Sequence, residues 1–176
     1  MCSALALDGL TPSLGLAVVV GARVETPFVA MVRPRGGDFV YSGSEVSIME
    51  RDAGLLLEAG ASGIVFGCLT RDRAVDDRQV DRLVSVAEGA ETVFHRAFDR
   101  AAAPFEALET LVALGVTRIL TSGGAPTALE GAKRIRALVE RAAGRIEILP
   151  AGGIREENVE AVVRQTGCEQ VHLSRR

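Results

Sequence analysis

The stretch Val80–Asp99, VDRLVSVAEGAETVFHRAFD, carries four signals in a fixed order. Val80, Leu83, Val84 and Ala87 recur at i, i+3, i+4 and i+7 with Asp and Arg between them, a spacing that predicts an amphipathic helix. Gly89 follows, where a left-handed C-cap would penalise a Cβ. Thr92-Val93-Phe94 is a short, apolar, β-branched run, and the polar His95 closes it. A helix, a stop, a buried strand and a polar strand end therefore follow one another within twenty residues.

The same unit recurs on both sides. Leu108, Leu111 and Val112 form a helical stripe after Pro104, which suits a first helical turn. Ile135, Leu138, Val139 and Ala142 form another, and Val159, Val162 and Val163 a fourth. Glycines at 60, 89, 115, 144 and 167 stand at intervals of 29, 26, 29 and 23 residues, each before an apolar run. The runs are Ile64-Val65-Phe66, Thr92-Val93-Phe94, Ile119-Leu120, Ile146 to Leu149 and Val171 to Leu173, with Phe28 to Val32 an earlier, longer one. Most do not alternate apolar with polar, so both faces are expected to be covered, as in a parallel sheet with helices outside. Repetition of such a unit predicts an α/β protein with right-handed crossovers.

Even unit lengths, and a polar residue or Gly closing nearly every strand, favour a closed barrel over a doubly wound sheet. No GxGxxG turn follows a first strand, which weakens a dinucleotide-binding reading. The predicted fold is a TIM (β/α)8-type barrel, one partial domain over residues 1–176. A complete barrel needs about 200–250 residues. Six strands plus the tail end of one at Met1 to Leu5 are expected, with the first strand, first helix, most of the second strand and the last helix absent. Exposed sheet edges would then promote association, and a fragment of a longer protein is the economical explanation.

Bulk composition bounds the function. With 176 residues, 48% hydrophobic, the chain can bury one sizeable core. A net charge of −3 and the absence of Trp argue against a nucleic-acid footprint. No apolar run reaches the roughly 20 residues of a membrane span, and the N-terminus lacks the pattern of a signal peptide. Three cysteines without a CxxC spacing fit a reducing cytosol better than a disulfide framework.

Function in parallel barrels collects at the C-terminal strand ends. The residues closing the strands are Arg33 to Ser42, Gly67 to Thr70, His95 to Asp99, Thr121 to Gly124, Pro150 to Gly153, and Ser174 to Arg176. Arg33, Arg35 and Arg96 offer planar donor forks for carboxylate or phosphate. Asp38 and Asp99 are placed to orient them, and His95 to act as general acid or base. Backbone N–H groups at Ser122, Gly123, Gly152 and Gly153, with Ser174, are candidates for holding an anion. Plainer roles stay open: an Arg-Pro-Arg-Gly-Gly-Asp structural turn with a surface ion pair, a core histidine at 95, and ordinary strand-to-helix turns at the glycine pairs. His172 reads as structural and Cys168 as a small buried residue. Cys2 and Cys68 lie near strand ends, and thiolates suit Cu(I), but no Cys/His cluster accompanies them.

Five blocks together resemble the CutC copper-homeostasis family: Cys2-Ser3-Ala4-Leu5, Gly9 to Ser13, Met31 to Ser42, Phe94-His95-Arg96-Ala97-Phe98-Asp99, and Leu120-Thr121-Ser122-Gly123. The Arg-Pro-Arg-Gly-Gly-Asp-Phe and Phe-His-Arg-Ala-Phe-Asp blocks are the specific ones. The resemblance implies a cytoplasmic TIM barrel, a homo-oligomer, and a role in copper tolerance by binding or trafficking Cu(I). It implies a metal role for Cys2, which matches the second of two family cysteines; the first would precede Met1. The ending Leu173-Ser174-Arg175-Arg176 departs from the family's usual Ser-Ala-Arg and leaves the role of Arg175 open. The cluster Arg33, Arg35, Asp38, His95, Arg96 and Asp99 supports an alternative, since it suits a small phosphorylated or carboxylated metabolite better than a soft metal ion.

Overall fold

In the computed structural model, which describes residues 1–173, five short parallel strands alternate with helices. The strands are β1 (Val29–Met31), β2 (Gly63–Phe66), β3 (Glu91–Phe94), β4 (Arg118–Thr121) and β5 (Glu147–Pro150). The helices are α1 (Leu14–Arg23), α2 (Gly43–Glu58), α3 (Asp77–Ala87), α4 (Pro104–Ala113), α5 (Ala132–Ala142) and α6 (Val159–Thr166), with 3-10 turns at Leu5–Leu7 and Arg96–Arg100. Strand order follows chain order, β1-β2-β3-β4-β5, with every pairing parallel. The order never reverses, so the sheet has no switch point of the doubly wound kind.

Helix starts follow local chemistry. Ser42 and Glu45 form a reciprocal capping box that opens α2, Asp76 caps α3, and Pro104 occupies the first turn of α4. The five glycines expected to end helices all have positive φ, between 74° and 98°.

The outer face of the sheet is the core. Ile64, Phe66, Phe94 and Ile119 are fully buried beneath Met49 and Leu56 of α2, Leu83 of α3, Leu108 and Leu111 of α4, and Ile135 and Leu138 of α5. Phe66 and Phe94 meet edge-on at 6.2 Å. The inner face, carrying Val29, Met31, Val65, Val93, Leu120 and Leu149, borders an open cavity of about 1400 Å³. Met1 beside β1 and His172 beside β5 border the same cavity. Burial, and secondarily the Met1 ammonium, hold the His172 imidazole below its ordinary pKa. The cavity thus reaches both outer edges of the sheet, which curves around it.

Two expectations are corrected. Val171 to Leu173 was expected as a sixth strand, but among the described residues it makes a single bridge, His172 to Ala151, with the His172 N–H donating to the Pro150 carbonyl at 2.9 Å. So short a run sets one rung rather than a ladder. Met1 to Leu5 is a strand end only at Met1, whose carbonyl accepts from the Met31 N–H at 2.9 Å. Left-handed residues Ala4 and Asp8 flank the 3-10 turn and fold the chain back, so that Ser3 pairs antiparallel with Leu10. Ser174 lies outside the described residues.

Gly63 opens β2 where two backbones approach closely. A Cβ there would stand 2.2 Å from the Glu91 carbonyl oxygen and 2.5 Å from the Glu91 Cβ on the neighbouring strand. Gly54, inside α2, has open space around the same position. Gly63→Ala is expected to lower unfolding free energy by about 1–3 kcal/mol, whereas Gly54→Ala raises it by up to about 1 kcal/mol. Guanidinium denaturation of the two variants checks both signs.

Candidate functional site

Two strand ends are tied together at one carboxylate. The 3-10 turn after β3 carries Asp99, which accepts hydrogen bonds from the Thr121 hydroxyl (2.5 Å), the Ser122 N–H (3.0 Å) and the Gly124 N–H (3.0 Å) after β4. Asp99 also accepts from Arg96 Nε at 2.8 Å. Its side chain is only 7% exposed, and burial by itself would raise the carboxyl pKa. The donors from Thr121, Arg96, Ser122 and Gly124 more than offset this and hold Asp99 below the usual carboxylate value. Arg96 Nη2 donates to the Ser122 hydroxyl at 2.8 Å, and that hydroxyl donates to the Ala125 carbonyl at 2.6 Å. Arg96 Nη1 lies 3.4 Å from where a Cβ on Gly152, after β5, would be.

The anion role expected of Ser122 and Gly123 is corrected by this arrangement. The Ser122 N–H is spent on Asp99, and the Gly123 N–H donates to the Thr121 hydroxyl at 2.9 Å. The protein's own carboxylate occupies the place an external anion would take. Gly152 and Gly153 differ: among the described residues their N–H groups have no acceptor, and both border the cavity.

Arg33 and Arg35 also depart from the donor forks expected of them. Arg33 is buried, and its Nη atoms donate to the carbonyls of Leu7 (2.9 Å), Gly9 (3.2 Å) and Gly37 (3.1 Å). It borders the cavity but pins two loops there, with its guanidinium 5.0 Å above the Phe39 ring. Arg35 does not border the cavity. It binds Glu45 through Nε, Asp38 at 2.9 Å and the Val40 carbonyl at 2.8 Å, and lies 5.1 Å from the Tyr41 ring. Arg35 and Asp38 thus form the structural turn with an ion pair, fastened to the capping box of α2. Exposed pairs of this kind hold shape more than they supply energy.

His95 is brought to the cavity but not as a general base. Its Nδ1 accepts the Ala97 N–H at 3.1 Å, which leaves Nε2 as the protonated, donating nitrogen. That Nε2 is buried and, among the described residues, has no hydrogen-bond partner. Burial, then the nearby Arg33 charge, push the imidazole pKa down to about 3. His95 is therefore a neutral hydrogen-bond donor at physiological pH, packed 5.0 Å from Phe39.

Sequence reading missed five of the arginines bordering the cavity, Arg71, Arg73, Arg100, Arg118 and Arg155. They join Arg33 and Arg96 along it, against Asp8, Asp38 and Asp99. Arg71, Arg73, Arg100 and Arg155 stand in the loops after β2, β3 and β5, beyond the residues immediately closing each strand, and Arg118 stands at the start of β4. In a chain of net charge −3, this concentration of positive charge favours anionic ligands in a concave site. The cysteines divide clearly. Cys68 is fully buried with its pKa pushed up to about 12, and burial also raises Cys168. Cys2 borders the cavity, its Sγ and the Met31 Cε both within 3.6 Å of where a Cβ on Gly9 would stand. Among the described residues no group of three His, Cys, Asp or Glu could hold a metal ion.

A family model for the CutC family matches residues 1–176. The chain belongs to the CutC family. It is 47% identical over 98% of its length to a CutC family protein of Treponema denticola, of which it spans 70%. It is 43% identical over its whole length to a copper homeostasis protein cutC homolog of Homo sapiens, of which it spans 64%. A copper homeostasis protein CutC from Streptococcus agalactiae has a matching structure, with a TM-score of 0.93 and 37% identity over 97% of this chain and 85% of that one. An aldolase, QR15, is similar in fold alone, at TM-score 0.67 and 17% identity over 90% of this chain and 73% of that one.

A histidine kept neutral in the fold binds a proton on unfolding between its folded and free pKa values. Its stabilising contribution is full above about pH 6.5 and is lost as pH falls toward the folded value of about 3. Between pH 6.5 and 4.5, His95 is expected to add a slope of about 1.4 kcal/mol per pH unit. His95→Asn, which keeps an acceptor for the Ala97 N–H, should flatten the curve by that amount in urea denaturation at stepped pH. An unchanged slope would contradict a buried neutral imidazole.

Proposed function

We propose that this protein serves copper homeostasis by taking Cu(I) as cargo at Cys2, on a five-stranded part of a (β/α)8-type barrel, in the cytoplasm and as a homo-oligomer. The observation carrying the copper role is the pairing of soft donors. Cys2 is the one thiol bordering the cavity, and the Met31 side chain, whose terminal methyl lies near Cys2 at Gly9, brings a second sulfur-bearing residue to the same place. The names of the human and S. agalactiae relatives, both copper homeostasis proteins, support this reading. Sequential parallel strands, the curvature of the sheet and the likeness to QR15 support the barrel. No described helix is long and apolar enough to cross a membrane, which is compatible with a cytoplasmic site.

A second reading is favoured by the rest of the cavity. Its arginines, the neutral donor His95 and the unspent N–H groups of Gly152 and Gly153 are hard donors, poorly matched to Cu(I) but suited to a small anionic metabolite. In this reading the protein is a barrel enzyme whose ligand carries a phosphate or carboxylate.

Competition against a chromogenic Cu(I) chelator under reducing, anaerobic conditions tests the copper role. The wild type is expected to take up one Cu(I), with Cys68→Ala and Cys168→Ala unchanged. Cys2→Ala is expected to weaken binding by about a hundredfold. Full uptake by Cys2→Ala would rule Cys2 out as a ligand.

A further inference from the structure

Resting on the second reading above, we propose a phosphate-monoester subsite at the end of β5, formed by Arg96 Nη1 with the Gly152 and Gly153 N–H groups, with His95 Nε2–H receiving the far end of the same ligand. Four observations meet there. Arg96 commits Nε to Asp99 and Nη2 to Ser122, and both bonds lock the guanidinium plane. Among the described residues, Nη1 has no acceptor, and it lies beside the Gly152 backbone. Gly152 has φ 101°, and a Cβ there would also stand 3.3 Å from the Ser122 Cβ, so glycine keeps this approach open. The fourth observation is independent of the loop. His95 is 5% exposed and borders the same cavity, and its solvent-shielded Nε2–H has no partner among the described residues. A buried donor left unpaired is costly, and a ligand acceptor would relieve it.

Charge decides between candidate anions. Asp99 neutralises Arg96 only in part, and Arg100 borders the same opening. Two backbone donors and a guanidinium match the three terminal oxygens of a phosphate monoester better than the two oxygens of a carboxylate. Distance sets the length of the ligand. His95 follows β3 and Gly152 follows β5, two strand spacings apart, or about 10 Å. A phosphate on a three- or four-carbon compound, with a carbonyl at the other end, spans that gap once hydrogen-bond lengths are included. His95 would polarise the carbonyl oxygen as a neutral donor, as its tautomer requires.

Amide NMR of ¹⁵N-labelled protein titrated with inorganic phosphate tests the subsite. The Gly152 and Gly153 N–H signals are expected to shift saturably, and Arg96→Gln to weaken binding at least tenfold. Because Arg96 also steadies Asp99, Gly153→Ala provides a second variant that leaves Arg96 intact. Dihydroxyacetone phosphate is expected to bind more tightly than phosphate, with the excess lost in His95→Asn. Phosphate shifts confined to amides near Arg71 and Arg73, with Gly152 and Gly153 silent, would overturn this subsite while leaving an anion-binding mouth. No shift anywhere with phosphate, dihydroxyacetone phosphate or small dicarboxylates would overturn both.

Discussion

The carboxylate of Asp99 holds the mouth of this protein together. It sits after β3, takes three donors from the turn after β4, and fixes the guanidinium that reaches toward the turn after β5. Without its charge, two backbone N–H groups and a hydroxyl would face one another in a largely buried space. Desolvating an anion is expensive, and here four donors recover that expense, so the carboxylate is stable only with the turns closed around it. The same bonds that stabilise the fold therefore set where Arg96 points.

The opposite side of the cavity follows a different rule. Arg33 is buried against carbonyl oxygens rather than carboxylates, so much of its positive charge remains unneutralised inside. That charge, added to burial, suppresses protonation of His95. A guanidinium and an imidazole placed near each other through Phe39 do not act as an acid–base pair. They form a rigid wall with one neutral donor. The sulfur-bearing side chains of Cys2 and Met31 meet instead near the β1 edge. Hard and soft donors thus occupy different parts of one cavity, and membership of the CutC family is compatible with either end being used.

The repeated units were legible because periodicity and punctuation agreed. The stripes of α3 to α6 and the runs of β2 to β5 fall where the spacing of apolar residues and glycines puts them. Helix α1 was not legible, since Leu14, Leu16, Val18 and Val19 are apolar on every side and exposed, with only Ala17 buried. Helix α2 carries a readable stripe at Val46, Met49, Ala53 and Leu56, masked by the long loop before it. At the site, strand-end position correctly pointed to His95, Arg96 and Asp99 as neighbours. Composition could not tell which donors were already spent. Arg35 and Arg96 are the same residue type at equivalent strand ends, yet one closes a turn and the other faces the cavity. That difference depends on Glu45 and Gly152, partners 10 and 56 residues away in the chain.

The account rests most directly on the ionised state of Asp99 and on its coupling to the turn after β4. A ¹³C NMR pH titration of the Asp99 side-chain carboxyl, with the Ser122 and Gly124 amides followed in parallel, measures both. The carboxyl is expected to titrate below the ordinary aspartate value of about 3.9, with both amide signals moving over the same pH range. A carboxyl titrating at or above that value, or amides unmoved as it protonates, would contradict the coupling of the turns after β3 and β4.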